Sequence, residues 1–327
     1  MIGFSEGFHD AAVAVVNDGK ICYATHSERY SKIKHDKHLD ITAASTAQLI
    51  CKDGEIAFYE RPWLKRTRQF FAGQKAWRRP RHLSLKPTRY YSHHKSHAAA
   101  AFQTSPFEEA ACVVVDSIGE WDTASIWHAE YKDYGEAVYT KKWSMAYPQS
   151  IGLWYSALTK WAGLRPLDEE YIFMGMAAYG NPVHMNVVER QLHQYNHKGA
   201  RIGDYDKCDI AKSAERILQL ELNNIFERAS IYSKNICYGG GVALNCVVNT
   251  GLREMYNMWI MPCPGDAGGA LGAACLTYGG KVDFSPYLGY NIQKFCDPRR
   301  VVDALLEKRV VGVANGRAEF GPRALGN

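Results

Sequence analysis

Apolar runs broken at turn residues set the rhythm of the first part of the chain. Residues 2–4 and 11–16 (Ala11-Ala12-Val13-Ala14-Val15-Val16) read as strands, and Asn17-Asp18-Gly19 is a tight turn that returns the chain into a third strand at 20–24. Residues 41–50 have helical spacing, and Ile56-Ala57-Phe58-Tyr59 reads as a strand. Between Pro62 and Pro80, Trp63, Phe70 and Trp77 recur every seven residues, with Leu64 and Phe71 beside them. That spacing predicts a helix with its aromatic face on the core and with Lys65, Arg66, Arg68, Lys75, Arg78, Arg79 and Arg81 in solvent. An alanine run makes 93–102 a helix, and the β-branched 111–115 reads as a buried strand.

Residues 113–127 repeat the opening plan of strand, small polar loop with glycine, strand. The repeat predicts a duplicated α/β fold with a cleft between its halves. Helices are expected at 149–161, closed by Gly163, and at 208–230, with a polar loop at 168–180 between them. Residues 235–238 form a strand that breaks at Gly239, Gly240 and Gly241 before a helix, and a second small-residue helix starts near Asp266. Residues 284–298 read as a loop, followed by a helix from Val301 and a strand at 310–314.

Composition narrows the class. With 46% hydrophobic and 22% charged residues over 327, the chain has the make-up of a globular protein with more than one lobe. No run approaches the ~20 apolar residues needed to span a bilayer, and Met1-Ile2-Gly3-Phe4 opens on a strand without the features of a signal peptide. The nine cysteines never form a Cys-x-x-Cys pair, which reads as reduced thiols in a cytoplasmic protein. The net charge of +5 comes from one place: residues 61–90 hold ten Lys/Arg and no Asp/Glu, leaving the rest at 29 against 34. A basic segment of this kind is either a wet surface or a contact for a polyanion such as nucleic acid.

Candidate chemistry centres on His93 and His97, four residues apart and so stacked on one helix face, followed by a strand that ends at Asp116. Two imidazoles and a carboxylate are the skeleton of a metal site. Asp266 reads either as a helix N-cap or as a fourth ligand. The loop Ser5-Glu6-Gly7-Phe8-His9-Asp10 is either a plain turn or a wrap for a phosphate or acyl group. Glu170 is either a site carboxylate or a helix-start acid. The triple glycine at 239–241 lets backbone approach an anion. Arg317 and Arg323 flank a Gly-Pro turn that has the look of another anion site.

Several motifs in order resemble the carbamoyltransferase family of the NodU/CmcH/TobZ type, the nodulation proteins and antibiotic O-carbamoyltransferases. They are Phe8-His9-Asp10, His93-His94-Lys95-Ser96-His97-Ala98-Ala99, Val115-Asp116-Ser117-Ile118-Gly119-Glu120-Trp121 and Met174-Gly175-Met176-Ala177-Ala178-Tyr179-Gly180. Gly239-Gly240-Gly241-Val242-Ala243-Leu244-Asn245-Cys246, Gly265-Asp266-Ala267-Gly268-Gly269 and Glu319-Phe320-Gly321-Pro322-Arg323-Ala324-Leu325-Gly326-Asn327 follow. The resemblance implies an α/β, duplicated actin/sugar-kinase-like (ribonuclease H-like) domain over 1–285, with 286–327 a linker and the start of a YrdC-like domain. It implies an O-carbamoyltransferase that uses carbamoyl-adenylate, made from carbamoyl phosphate and ATP with Mg, to carbamoylate an acceptor hydroxyl such as that of a sugar or natural product. The basic 61–90 segment adds the expectation of an acceptor on a polyanion, such as a hydroxymethylated nucleobase in DNA or its nucleotide.

Carried over by residue, the resemblance places a divalent metal, iron ahead of manganese or zinc, on His93, His97, Asp116 and Asp266. It makes His9 the catalytic histidine with Asp10 beside it, and lines the nucleotide pocket with Gly239, Gly240, Gly241 and Asn245; Gly119, Glu120, Glu170, Arg317 and Arg323 are further candidates for cofactor binding. Many relatives carry Lys where Ile172 stands, and the last motif runs on past Asn327 in the family. A kinase or ATPase of the same fold, or a nucleic-acid-binding module built on residues 61–90, are the competing readings. A homodimer is a further expectation, and a membrane partner is not expected.

Overall fold

The computed structural model describes residues 1–73, 84–194, 199–292, 297–308, 310–312, 314–323 and 325. Two five-stranded sheets organise it. In the first, β1 (Ile2–Ser5), β2 (Ala12–Asn17) and β3 (Lys20–His26) are antiparallel neighbours. A short helix α1 (Glu28–Ser31) and helix α2 (Ile41–Ile50) follow, and β4 (Ile56–Phe58) then adds in parallel to β1. Asp18 and Gly19 sit at φ +48° and +73°, the left-handed pair that a two-residue hairpin requires. Helix α3 (Pro62–Phe71) leads out of β4, and β5 (Arg89–Tyr90) completes the strand order β3-β2-β1-β4-β5.

Helix α4 (His93–Gln103) crosses to the second sheet, which starts with β6 (Glu109–Val115), β7 (Asp122–Tyr131) and β8 (Ala137–Ala146). Helices α5 (Ile151–Trp161), α6 (Glu170–Met176), α7 (Met185–His193) and α8 (Lys207–Ser230) precede β9 (Asn235–Gly239). Helix α9 (Cys246–Met255), β10 (Asn257–Ile260) and α10 (Asp266–Tyr278) follow. The order β10-β9-β6-β7-β8 has two antiparallel pairings and two parallel ones, β6 with β9 and β9 with β10, so it repeats the first sheet strand for strand. This is the duplicated α/β architecture that the repeated strand–loop–strand plan predicts.

Each central strand is buried on both faces. Along β2, Ala12, Ala14 and Val16 point toward α10, while Val13 and Val15 join the core that α2 covers. Along β6, Ala111, Val113 and Val115 pack with α5 and α8, and Ala110, Cys112 and Val114 pack with α4. Helices α10 and α4 therefore lie back to back between the sheets. Their contact is backbone-close: a Cβ on Gly272 would stand 1.8 Å from the Ser96 carbonyl oxygen.

Four local expectations are corrected. Trp63, Phe70 and Phe71 are exposed, whereas Lys65 and Arg68 are buried, so α3 lies with its basic side inward. The reason is pairing: Lys65 Nζ reaches the buried Glu60 carboxylate at 3.0 Å, and Arg68 lies over the Tyr147 ring. Lys75, Trp77, Arg78, Arg79 and Arg81 fall outside the described residues. Residues 170–176, read as loop, are helix α6, and 284–298 contains β11 (Tyr287–Ile292). The strand expected at 310–314 is not formed at 310–312 or 314. Instead, after helix α11 (Pro298–Lys308), β12 (Gly316–Glu319) pairs antiparallel with β11. Leu288 and Phe320 pack into the core shared by β2 and α10, so this stretch is tied to the first lobe.

Candidate functional site

Three elements deliver four side chains to one point. His93 and His97 stand on successive turns at the start of α4, Asp116 follows the end of β6, and Asp266 is the first residue of α10. All four are buried, and their ligand atoms lie within 4.8 Å of one another. The N-cap of α10 is Gly265, so the Asp266 carboxylate is not spent on capping. His93 Nε2 is 2.9 Å from Asp116 Oδ2, 3.1 Å from His97 Nε2 and 3.4 Å from Asp266 Oδ1. His97 Nε2 is 3.5 Å from Asp266 Oδ1 and 3.8 Å from Asp116 Oδ2. Ligands about 2.1 Å from a tetrahedral ion are separated by roughly 3.4 Å. These spacings match that shell, and the N₂O₂ donor set suits iron, manganese or zinc.

Electrostatics point the same way. Burial alone would raise Asp116 and Asp266, yet the facing histidines hold both below the ordinary carboxylate range. Asp116 Oδ1 accepts hydrogen bonds from the backbone N–H groups of Ser117 (2.8 Å) and Gly241 (3.2 Å), which leaves Oδ2 turned toward the histidines. Gly240, at φ +90°, has no room for a side chain, since a Cβ would sit 2.2 Å from the Val115 carbonyl. The triple glycine thus brings backbone against β6 and positions the Asp116 carboxylate. On the far side, Gly119 packs flat against the His93 ring, with space for no Cβ.

Above this cluster opens a cavity of about 480 Å³ between the lobes. Among its wall residues are His9, Asp10, Asp116, Glu170, Gly241, Asn245, Asp266 and Arg323. His9 Nδ1 is 2.8 Å from Asp10 Oδ2, and its Nε2 lies 3.8 Å from Asp266 Oδ2. Burial pushes His9 down, but the Asp266 and Asp10 carboxylates outweigh it and lift the imidazole to about 9. Glu170 accepts hydrogen bonds from Ser156 Oγ and the Leu167 N–H, both at 2.6 Å. Asn245 caps α9 through the Val248 N–H.

Other expected residues lie away from the cavity. Glu120 is buried and accepts hydrogen bonds from the Arg61 backbone and guanidinium, which fixes the start of α3 to the loop after β6. Arg317 donates to the carbonyls of Gly289, Cys22 and Leu288, clipping the β11–β12 pair to β3. Gly239 ends β9 beneath His97. Three residues that sequence reasoning passed over belong to the site. His35 Nδ1 is 2.7 Å from Asp10 Oδ1, His35 Nε2 is 3.1 Å from Asp168 Oδ1, and Lys34 pairs with Asp168. This line of hydrogen bonds runs from His9 in one lobe to Asp168 in the other. In the sequence, residues 27–38 show only as a polar stretch.

The family model described as Carbamoyltransferase N-terminus matches residues 69–207 and 185–275, more than half of the chain, and includes His93, His97, Asp116 and Asp266. The chain belongs to the carbamoyltransferase family. Among relatives, the uncharacterized protein sll1178 of Synechocystis is 30% identical over 436 residues, covering 100% of this chain and 70% of that protein. Nodulation protein NolNO of Sinorhizobium fredii is 25% identical, covering 98% of this chain and 57% of its own length. A solved activator of the 2-hydroxyisocaproyl-CoA dehydratase from Clostridium difficile with bound ADPNP superposes with a TM-score of 0.49 at 10% identity, over 96% of this chain and 99% of that one. No helix among the described residues is long and apolar enough to cross a membrane.

Proposed function

We propose that this chain carries the transfer step of an ATP-dependent O-carbamoylation, passing a carbamoyl group from carbamoyl-adenylate to an acceptor hydroxyl. The observation that carries the reading is the convergence of His93, His97, Asp116 and Asp266 at one point, with Asp116 and Asp266 lining a cavity whose wall also holds His9 and Asp10. A divalent ion held by those four residues would supply Lewis acidity toward phosphate or carbamoyl oxygen.

The rest of the step belongs to the chain's own side chains. A carbamoyl carbon is a weak electrophile, so transfer needs a good leaving group and a positioned base. The acceptor oxygen bonds to the carbamoyl carbon, the carbon–oxygen bond to AMP breaks, and the hydroxyl proton passes to His9 Nε2. Asp10 accepts a hydrogen bond from the Nδ1–H of His9, which fixes the tautomer and aims Nε2 into the cavity. Asp266 is the leading group that raises His9, and a cation held there would offset that field and favour the neutral imidazole that can accept the proton. Arg323, on the cavity wall, offers its guanidinium to the adenylate phosphate. Carbamoyl phosphate, ATP and Mg belong to the formation of carbamoyl-adenylate. The acceptor is a sugar, natural product or hydroxymethylated nucleobase.

The test uses His97→Ala in the full-length protein. Bound metal and acceptor-dependent consumption of carbamoyl phosphate should both disappear. Retention of both refutes the assignment, and ATP turnover without any acceptor favours an ATPase of this fold. Nucleic-acid binding that weakens with salt and survives His97→Ala favours the basic-segment reading.

A further inference from the structure

We propose that Glu60 is the carboxylate that orients His93 as a metal ligand, and that Lys65, delivered by α3, holds Glu60 in place. The inference rests on the metal reading above and deepens it. Glu60 lies just past the end of β4 with its side chain 1% exposed, and Lys65 Nζ sits 3.0 and 3.2 Å from its two oxygens at 5% exposure. A fully buried ion pair is weak as a stabilising device, because desolvation offsets the attraction and apolar residues of the same size do as well or better. Such a pair behind a histidine cluster calls for another role.

His93 supplies it. The ring presents Nε2 to Asp116, His97 and Asp266, so Nδ1 faces the opposite way, toward Glu60 Oε2 at 3.6 Å. His93 Nδ1 is buried and has no hydrogen-bond partner. To ligate through Nε2, the imidazole must carry its proton on Nδ1, and a carboxylate behind that proton selects this tautomer and raises ligand basicity. The ring has little freedom to turn. Tyr59 packs on it with centroids 5.2 Å apart, and Gly119 lies so close that a Cβ would be 2.8 Å from Cδ2. Nδ1 is therefore held facing Glu60, 3.6 Å from Oε2.

Lys65 reaches a second part of the site as well. Its ammonium lies 4.5 Å from the centre of the Phe8 ring, which itself packs on His9 at 4.5 Å. The inward basic side of α3 thus braces both the ligand His93 and the His9 loop. This accounts for a helix that turns Lys65 into the protein and leaves Phe70 and Phe71 in solvent.

The test titrates Co(II) against the full-length protein by chelator competition and records its visible spectrum. Glu60→Gln alone strands a buried lysine, so the primary variant is Glu60→Gln with Lys65→Met, which buries no lone charge. The metal-free double variant should melt at or near the parent temperature, yet bind Co(II) ten to a hundred times more weakly with an altered spectrum, as roughly expected for the loss of an outer carboxylate. Affinity within twofold of the parent and an unchanged spectrum would overturn the proposal and leave a structural ion pair. His97→Ala is the separate arm. If Co(II) binding to the parent survives that substitution, the metal reading fails, and the orienting role falls with it.

Discussion

Asp10 concentrates the site's demands on one residue. Its backbone sits at φ +53°, in the left-handed region that aspartate and asparagine tolerate better than most residues. Its two carboxylate oxygens are shared between His9 at 2.8 Å and His35 at 2.7 Å. Burial would raise this carboxyl, but the two histidines hold it well below the usual range. Asp10→Asn keeps the backbone but removes the anion that fixes both rings. We expect kcat for carbamoyl transfer to fall by about 10²-fold or more while metal content stays at the parent level, measured by steady-state kinetics and metal analysis. An unchanged kcat would remove Asp10 from the chemistry. The His-x-x-x-His pair was legible because its spacing is local, whereas His9 and Asp10 stood out only through the resemblance to the carbamoyltransferase family. His35 and Asp168 were not legible, because the contact between them spans 133 positions and no periodicity announces it.

At the scale of elements, strands were easier to read than faces. The alternation in β1, β2 and β6 and the Asp18-Gly19 turn encode local geometry, and the sheets follow it. Helix α3 shows the limit. Aromatic spacing of seven marks one side of a helix, but the core lies wherever Glu60 can take Lys65, and that partner is set by the end of β4. Phe70 is 75% exposed, so Phe70→Ala should change unfolding free energy by no more than about 0.5 kcal/mol, where a core phenylalanine would cost about 3–5. Denaturant unfolding decides between them. β11 was missed because its partner, β12, lies beyond an intervening helix. The α4–α10 contact gives a sharper test. In Gly272→Ala the new methyl would meet the Ser96 carbonyl, forcing apart the two helices that carry His93, His97 and Asp266. Overpacking there should cost about 1–3 kcal/mol in denaturant unfolding and weaken metal binding too. Parent-like stability and affinity would mean the helices are not held at backbone contact.

For the whole molecule, duplication makes the site. Two sheets of the same strand order are stacked through α10 and α4, so the ends of β6 and the starts of both helices meet at one depth in the cleft. Each lobe contributes what the other lacks: the first brings the His9 loop and α10 closes on it, and the second brings Asp116, Glu170 and the glycine turn. The segment carrying Arg317 and Arg323 packs on the first lobe and places Arg323 at the cavity, while Arg317 serves as its clip. The duplicated plan was visible in the sequence, but which of the two arginines faces the cavity depends on the β11–β12 pairing. The central claim is that this cleft moves a carbamoyl group. The most direct measurement incubates the full-length protein with ATP, carbamoyl phosphate and a panel of sugars, nucleotides and modified DNA, and follows acceptor mass by mass spectrometry. The account predicts a carbamoyl adduct on one hydroxyl acceptor with the parent protein and none with His97→Ala. A phosphorylated acceptor, or a carbamoyl adduct that persists in His97→Ala, would contradict it.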